Sequence, residues 1–418
     1  MVSAQSVCKE SLAKIKPTKQ EEREVSVFIN EFIGKVNRQI KHGRAILGGS
    51  GAKGTWLKNA YDADIFVQYP HTQFKHQSDQ LSDLLAKDLK PLKSVRLHGS
   101  RDYFQVNVKG FTFEIVPILN IKKAEDAVNI TDVSPLHAKF VCKYKKYADD
   151  IRLAKQFCKA SGCYGAESYI GGFSGYALEI LVIYYKGFLP LLKNALTWKS
   201  GTVIDIKKYH KNAKAALNQS KLISPLIIID PVDSSRNAAA ALSQEKYSIL
   251  KEAARRFLAK PHMKYFEIED ATEAVLRAKY RGKSLLVVTL SGGIGKADVL
   301  GARYLKMVRY VERACVPLGI EEKGWRFDRK KSANAWFVLK KTELPSIEIR
   351  QGPPLTLQQH VSHFKKKHKN TFIQGNRIAA KVSRKERTVQ QILAAALKRQ
   401  EARHLKMSTQ FKVITGNS

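Results

Sequence analysis

Cysteine is scarce and unpatterned: Cys8, Cys142, Cys158, Cys163 and Cys315 make an odd count with no Cys-x-x-Cys pair. That excludes a disulfide framework and a cysteine-based zinc site, and suits thiols kept reduced inside a cell. Long apolar runs are missing too. The most apolar stretch, 176–192, is interrupted by Glu179 and Lys186. It falls short of the roughly 20 residues that a membrane helix needs. Residues 1–19 have no apolar core, so no secretory leader is expected and a cytoplasmic location is. Internal repeats and low-complexity tracts are absent. Acidic residues are in short supply, 37 Asp and Glu against 73 Lys and Arg, which leaves a formal charge of +36.

What is present is a chain of 418 residues, 44% of them hydrophobic, enough to bury sizeable cores. At about 150 residues per domain, two to four domains are expected. The basic excess fits a polyanionic partner, because each phosphate contact releases condensed counterions. A generally basic background is the plain alternative, and the motifs below favour the polyanion.

The most informative stretch is Leu47-Gly48-Gly49-Ser50-Gly51-Ala52-Lys53-Gly54-Thr55, followed by Asp62-Ala63-Asp64-Ile65-Phe66-Val67. A glycine-rich turn lets backbone N–H groups approach a phosphate closely. Two carboxylates one residue apart share one face of a strand, while Ile65 and Val67 take the other. Two-metal phosphoryl transfer needs such carboxylates to hold ions about 3.5–4 Å apart. A third is expected from a neighbouring strand. Glu114 fits, since Phe111, Phe113 and Ile115 face one way and Thr112, Glu114 and Val116 the other. An acidic residue amid Phe-Thr-Phe-Glu-Ile-Val is costly unless solvated, paired or bound to metal.

The rest of the chain gives organisation. Thr18-Lys19-Gln20-Glu21 reads as a capping box opening a helix, with Val25, Phe28, Ile29, Phe32, Val36 and Ile40 at helical spacing. A polar helix is expected over 77–88 and strands over 95–98, 103–108 and 111–117, the last two joined by a Lys109-Gly110 hairpin turn. Residues 148–260 read mostly as helices, at 150–160, from 173 to 186 and at 244–258, with short strands at 202–206 and 226–229. Beyond a boundary near Lys260-Pro261, strands are expected at 264–269, 284–290, 334–340 and 346–350, with helices at 271–280 and 298–315. Residues 351–418 carry 14 Lys and Arg against two Asp and Glu. There Val389, Ile392, Leu393, Ala396 and Leu397 form an apolar stripe, with Lys398, Arg399 and Arg403 on the other face. A solvated surface helix would fit that pattern, but a basic cluster this strong beside a phosphoryl-transfer motif favours contact with an RNA backbone.

Gly49-Ser50, Asp62-Ala63-Asp64 and the later strand carboxylate resemble the nucleotidyltransferase superfamily of DNA polymerase β-like enzymes. Residues 151–155 (Ile-Arg-Leu-Ala-Lys), 162–167 (Gly-Cys-Tyr-Gly-Ala-Glu), 172–179 (Gly-Phe-Ser-Gly-Tyr-Ala-Leu-Glu), 230–237 (Asp-Pro-Val-Asp-Ser-Ser-Arg-Asn) and 344–354 are similar to the archaeal, class I CCA-adding enzymes, which are tRNA nucleotidyltransferases. The likeness runs from about residue 20 to 400. It implies an α+β, multidomain chain: a catalytic domain on a mixed sheet in 1–145, a helical nucleotide-binding middle domain in 146–260 and a basic α+β tRNA-binding region in 261–418. The implied reaction is template-independent addition of C, C and A to the 3′ end of tRNA from CTP and ATP, with two Mg²⁺ ions and release of pyrophosphate. By the same likeness, Asp62, Asp64 and Glu114 match the metal-binding carboxylates. Gly49, Ser50 and Lys53 face the triphosphate, His137, Lys155 and Tyr164 surround the phosphates and ribose, and Arg236 reads the base edge. The partner implied is the tRNA acceptor arm and 3′ end, with no membrane; a homodimer is compatible with it. Where the family commonly has Glu, a bulky apolar residue and a third-strand Asp, this chain has Asp62, Ala63 and Glu114, and Lys53 stands where Arg is frequent.

Read without that resemblance, the same residues allow plainer roles. His137 stabilises the loop after Pro135, Tyr164 is a core tyrosine, Lys155 is a solvated helix residue, and 173–176 only starts a helix. Residues 291–296 lack the Gly-x-x-x-x-Gly-Lys-Ser/Thr spacing of a phosphate loop. His360, His363 and His368 have no carboxylate or cysteine partner nearby in sequence, so no metal is expected there. Two other functions stay open: a poly(A)- or oligoadenylate-type nucleotidyltransferase, and a non-catalytic RNA-binding protein on the same fold.

Overall fold

The computed structural model describes residues 3–293, 297–328, 332–401 and 407–414; Ile294 to Lys296 and Arg403, named above, lie outside them. The chain separates into two compact units, Met1–Glu269 and Asp270–Ser418. Together they are a mixed α+β architecture.

The first unit opens with α1 (Ala4–Ile15) and α2 (Lys19–Gln39). The expected capping box forms: the Glu21 N–H donates to Thr18 Oγ1 at 3.2 Å, and the Thr18 N–H donates to Glu21 Oε2 at 2.7 Å. Ile29, Phe32 and Val36 form the buried stripe of α2. Next come β1 (Arg44–Leu47), α3 (Gly49–Lys53), β2 (Asp62–Pro70), the short α4 (His71–Phe74), α5 (Leu81–Asp88), β3 (Val95–Leu97), β4 (Tyr103–Val108) and β5 (Phe111–Asn120). The strands make one mixed sheet in the order β1-β2-β5-β4-β3. Only β2 and β5 pair in parallel; the other neighbours are antiparallel.

Period-two alternation sets the two faces of that sheet. Ala63, Ile65, Val67, Phe113 and Ile115 are buried in one core with Phe32, whose ring stacks on Phe113 at 3.8 Å. The odd-numbered face is thus sealed by α2, which leaves Asp62, Asp64 and Glu114 on the opposite one. Lys109 and Gly110 both have positive φ, 48° and 83°, as a two-residue hairpin turn between β4 and β5 requires.

The same unit continues through α6 (Ser134–Cys142), α7 (Ala148–Ala160), α8 (Gly175–Tyr185), α9 (Phe188–Ala195), the parallel pair β6 (Thr202–Ile204) and β7 (Leu226–Ile228), the short α10 (Ala213–Ala216) between them, and α11 (Gln244–Ala259). The apolar run at 176–192 is a buried layer here. Its two helices, α8 and α9, are bent by 93° and pack in the core, and among the described residues no single helix is long and apolar enough to cross a membrane. Residues 264–269, expected as a strand, instead form one 3-10 turn, Met263–Phe266. Phe266 is buried against Phe157, Phe188 and Phe257, so ring docking rather than strand pairing decides that segment.

The second unit contains α12 (Glu273–Lys279), β8 (Ser284–Ser291), α13 (Ala297–Cys315), β9 (Ile320–Phe327), β10 (Ser332–Leu339), β11 (Ile347–Pro354), α14 (Gln358–Lys367), β12 (Thr371–Gln374), β13 (Arg377–Ser383), α15 (Val389–Glu401) and β14 (Ser408–Ile414). One antiparallel sheet has the order β14-β8-β10-β9, and α13 and α15 share its core. Leaving aside β11 to β13, this is a β-α-β-β-α-β unit with its last strand beside its first. The excluded segment, β11 to β13 with α14, forms a separate three-stranded sheet inserted before α15.

Candidate active site

Register brings the carboxylates together. In the parallel β2–β5 pair, Asp64 stands directly opposite Glu114 and Asp62 opposite Thr112. Side chains two residues apart on β2 share a face, so Asp62, Asp64 and Glu114 line one surface. Gln105 on β4 is the cross-strand neighbour of Glu114, and its Nε2 donates to Glu114 Oε1 at 2.9 Å. Burial, and then the nearby charges of Glu114 and Asp62, push the Asp64 carboxyl up to about 6.

Hard carboxylate oxygens on one strand face suit a divalent cation such as Mg²⁺. Their crowding is itself the test of fit: charges that raise the Asp64 pKa would be neutralised by a cation held among them. Among the described residues, no three His, Cys, Asp or Glu side chains are grouped closely enough to hold a metal ion as they stand. Glu114 is held to Gln105 in this arrangement.

The glycine-rich turn is built around Asp64. The Gly48 N–H donates to the Asp64 carbonyl at 2.8 Å, which pins α3 to β2. Gly49 has φ +53°, and a Cβ there would lie 1.6 Å from Asp64 Oδ2. Only glycine lets the backbone pass so close to that carboxylate. Ser50 follows in the first turn of α3, and Lys53 ends the helix.

Lys53 and Lys155 converge on one buried acid. Glu179 on α8 accepts from Lys53 Nζ through Oε2 at 2.8 Å, and from Lys155 Nζ through Oε1 at 2.8 Å. Thr55 Oγ1 also donates to Glu179 Oε1, at 2.9 Å. Burial pushes the Glu179 carboxyl up, but Lys155 and Lys53 outweigh it and hold its pKa at about 2. Burial lowers the pKa of Lys155, against the pull of Glu179. The buried lysine is therefore no solvated helix residue. Tyr164 is next to it: a Cβ added at Gly175 would meet both the Tyr164 hydroxyl, at 3.0 Å, and Lys155 Cε, at 3.6 Å. Burial raises the Tyr164 phenol, with Glu179 and Asp62 adding to the effect.

His137 and Arg236 gather at a second buried acid, Asp230. Arg236 Nη1 donates to Asp230 Oδ2 at 2.6 Å, and the Tyr176 hydroxyl donates to Oδ1 at 2.9 Å. His137 Nε2 lies 2.9 Å from Oδ2, out of line for a good hydrogen bond. Tyr176 stacks on His137, ring centroids 4.1 Å apart, and Lys53 Nζ lies 5.2 Å from the Tyr176 ring centre. Tyr176 thus does more than start a helix. Burial raises its phenol, and Asp230 raises it further.

The catalytic and nucleotide-binding candidates therefore all fall in the first unit, Lys53 and Lys155 at one buried acid and His137 and Arg236 at another. Sequence reading missed the acids at their centres, Glu179 and Asp230, and the bridging role of Tyr176. A signal for Glu179 was present: it is an acid inside an otherwise apolar helix, a position that demands a buried cation.

Three family models match successive parts of the chain. Residues 29–147 match the family model for a nucleotidyltransferase domain, 149–267 that for a tRNA nucleotidyltransferase second domain, and 323–416 that for a CCA-adding enzyme C-terminal domain. Among relatives, the CCA-adding enzyme of Nanoarchaeum equitans is 37% identical over 335 residues, 78% of this chain and 80% of that one. The CCA-adding enzyme of Methanothermobacter thermautotrophicus is 30% identical over 393 residues, 90% of this chain and 85% of that one. Among solved structures, the Cid1 poly(U) polymerase aligns with a TM-score of 0.50 at 14% identity, over 63% of this chain and 98% of that one, a likeness of fold. On its match to relatives across most of its length, the chain belongs to the CCA-adding enzymes.

Proposed function

We propose that the protein adds C, C and A to the 3′ end of tRNA, taking CTP and ATP and releasing pyrophosphate without a nucleic-acid template. The observation that carries this reading is the register of β2 against β5, which sets Asp64 opposite Glu114 with Asp62 on the same face. These three carboxylates would hold two Mg²⁺ ions. Bound there, Mg²⁺ would make the terminal ribose hydroxyl of the tRNA a better nucleophile and neutralise charge on the triphosphate.

The remaining roles belong to the chain's own side chains. Ser50, Lys53 and Lys155 bind the triphosphate, the lysines as positive charges held in place by Glu179. Gly49 lets the turn lie close to Asp64, so triphosphate and carboxylates occupy one small space. His137 and Tyr164 border the ribose and phosphates. Arg236, anchored through Nη1 on Asp230, meets the base edge. When the hydroxyl attacks the α-phosphorus, its bond to the bridging oxygen breaks and pyrophosphate leaves. Basic surface, most of all in 351–418, holds the acceptor arm by shape and backbone charge. The place of work is the cytoplasm, where tRNA lacking its 3′ end is met.

Incubation with tRNA lacking the terminal CCA, plus CTP, ATP and Mg²⁺, followed by sequencing of the product ends, tests the proposal. Ordered addition of C, C and A is expected. Tails of A without C would assign a poly(A)-type activity instead, and no product would leave RNA binding alone.

A further inference from the structure

Asp230 is fully buried yet accepts three hydrogen bonds, one of them from a guanidinium, and also lies against His137. Oδ1 accepts from the Val232 N–H at 2.9 Å and from the Tyr176 hydroxyl at 2.9 Å; Oδ2 accepts from Arg236 at 2.6 Å and lies 2.9 Å from His137. The backbone repeats the grip, since the Asp230 N–H donates to the Arg236 carbonyl at 3.0 Å. Arg236 itself keeps 31% of its side chain exposed. One end of its guanidinium is therefore anchored in the protein while the rest borders open space.

A guanidinium only donates hydrogen bonds. Cytosine N3 and adenine N1 are acceptors, whereas uracil N3 and guanine N1 carry a hydrogen. A donor fork fixed in one plane thus favours C and A over U and G, and a fork free to swing loses that preference. Tyr176 links this fork to the other end of the site, because its ring stacks on His137 and faces Lys53.

We infer that Asp230 is the positioning residue for base selection: its carboxylate fixes the plane of Arg236 and, through Tyr176 and His137, sets that plane relative to the phosphate-binding lysines. This rests on the nucleotidyltransferase reading above, in which Arg236 meets the base.

Asp230→Asn keeps the shape but replaces one acceptor oxygen by a donor, so either Arg236 or the Val232 N–H faces a second donor. Tyr176→Phe removes one hydroxyl and keeps the ring stack. Full-length wild type and both variants would be assayed for single additions to tRNA lacking CCA, with CTP and with UTP, and for inhibition by pyrophosphate. For Asp230→Asn, the CTP-over-UTP ratio of kcat/KM is expected to fall at least tenfold, with the pyrophosphate inhibition constant changed less than about twofold. Tyr176→Phe is expected to lower the ratio two- to fivefold. An unchanged ratio, or equal loss of CTP and UTP addition, would make Asp230 a fold element and overturn the inference. Should Asp230→Asn lose its far-UV circular dichroism, an unchanged ratio in Tyr176→Phe overturns it alone. A wild-type protein that adds no C defeats the nucleotidyltransferase reading itself, which the same gel separates from failure of the Asp230 role.

Discussion

A methyl group at position 49 would occupy the space of Asp64 Oδ2, on a backbone already in the left-handed region. Gly49→Ala is therefore expected to cost about 2–4 kcal/mol, the sum of the positive-φ strain and overpacking. Urea unfolding of the variant against wild type measures that loss, and nucleotide incorporation should fall with it. Asp64 gives the complementary case. Asp64→Ala removes a carboxylate whose charge its neighbours already oppose. It is expected to abolish incorporation, by at least a thousandfold in kcat, while tRNA affinity by filter binding stays within about threefold. A residue with no part in the chemistry would leave turnover intact.

The buried acid on α8 does its work at the scale of elements. Glu179 ties α3 and the turn that follows it, through Lys53 and Thr55, to α7, through Lys155. Its carboxyl is held near 2 in the fold against an ordinary 4.5, so it contributes stability above pH 4.5. That contribution fades as pH falls from 4.5 towards 2, where both states bind the proton. Glu179→Gln is expected to lose about 3–5 kcal/mol at pH 7, since two lysines lose a buried partner. It should also flatten the pH dependence of urea unfolding between 4.5 and 2.

Which elements could be read from the sequence follows from the same physics. The strands at 62–67 and 111–117 were legible because strict alternation with a sealed apolar face leaves only one side for acids. The hairpin at Lys109-Gly110 was legible from its turn chemistry. Neither kind of signal marks β9, an edge strand whose Glu321, Glu322 and Lys323 stand in the exposed part of its run. The same holds for β12, β13 and α14 among the lysines near the C-terminus. The helix expected from 77 begins only at Leu81, because a 3-10 turn, Lys75–Gln77, comes before it. The lysines' partner was hidden for another reason. Lys53 and Glu179 are 126 residues apart, and only the packing of α8 against the sheet domain joins them.

At the scale of the molecule, charge is the dominant property. A formal +36, with 14 Lys and Arg against two acids in 351–418, predicts tRNA binding governed by counterion release. The logarithm of the association constant should fall linearly with the logarithm of salt concentration. With several phosphate contacts, affinity should drop by about a thousandfold between 50 and 200 mM salt. Truncation of the basic surface by neutral substitutions in 365–369 should lower the slope, measured by filter binding, without changing the order of nucleotides added.

The central claim is that acids on two parallel strands seat the divalent ions beneath the incoming triphosphate. Crystals grown with CTP and Mn²⁺ would locate those ions directly by anomalous scattering. Two peaks about 3.5–4 Å apart, touching Asp62, Asp64 and Glu114, are predicted. Peaks elsewhere, or a pair that does not touch Glu114, would contradict the assignment.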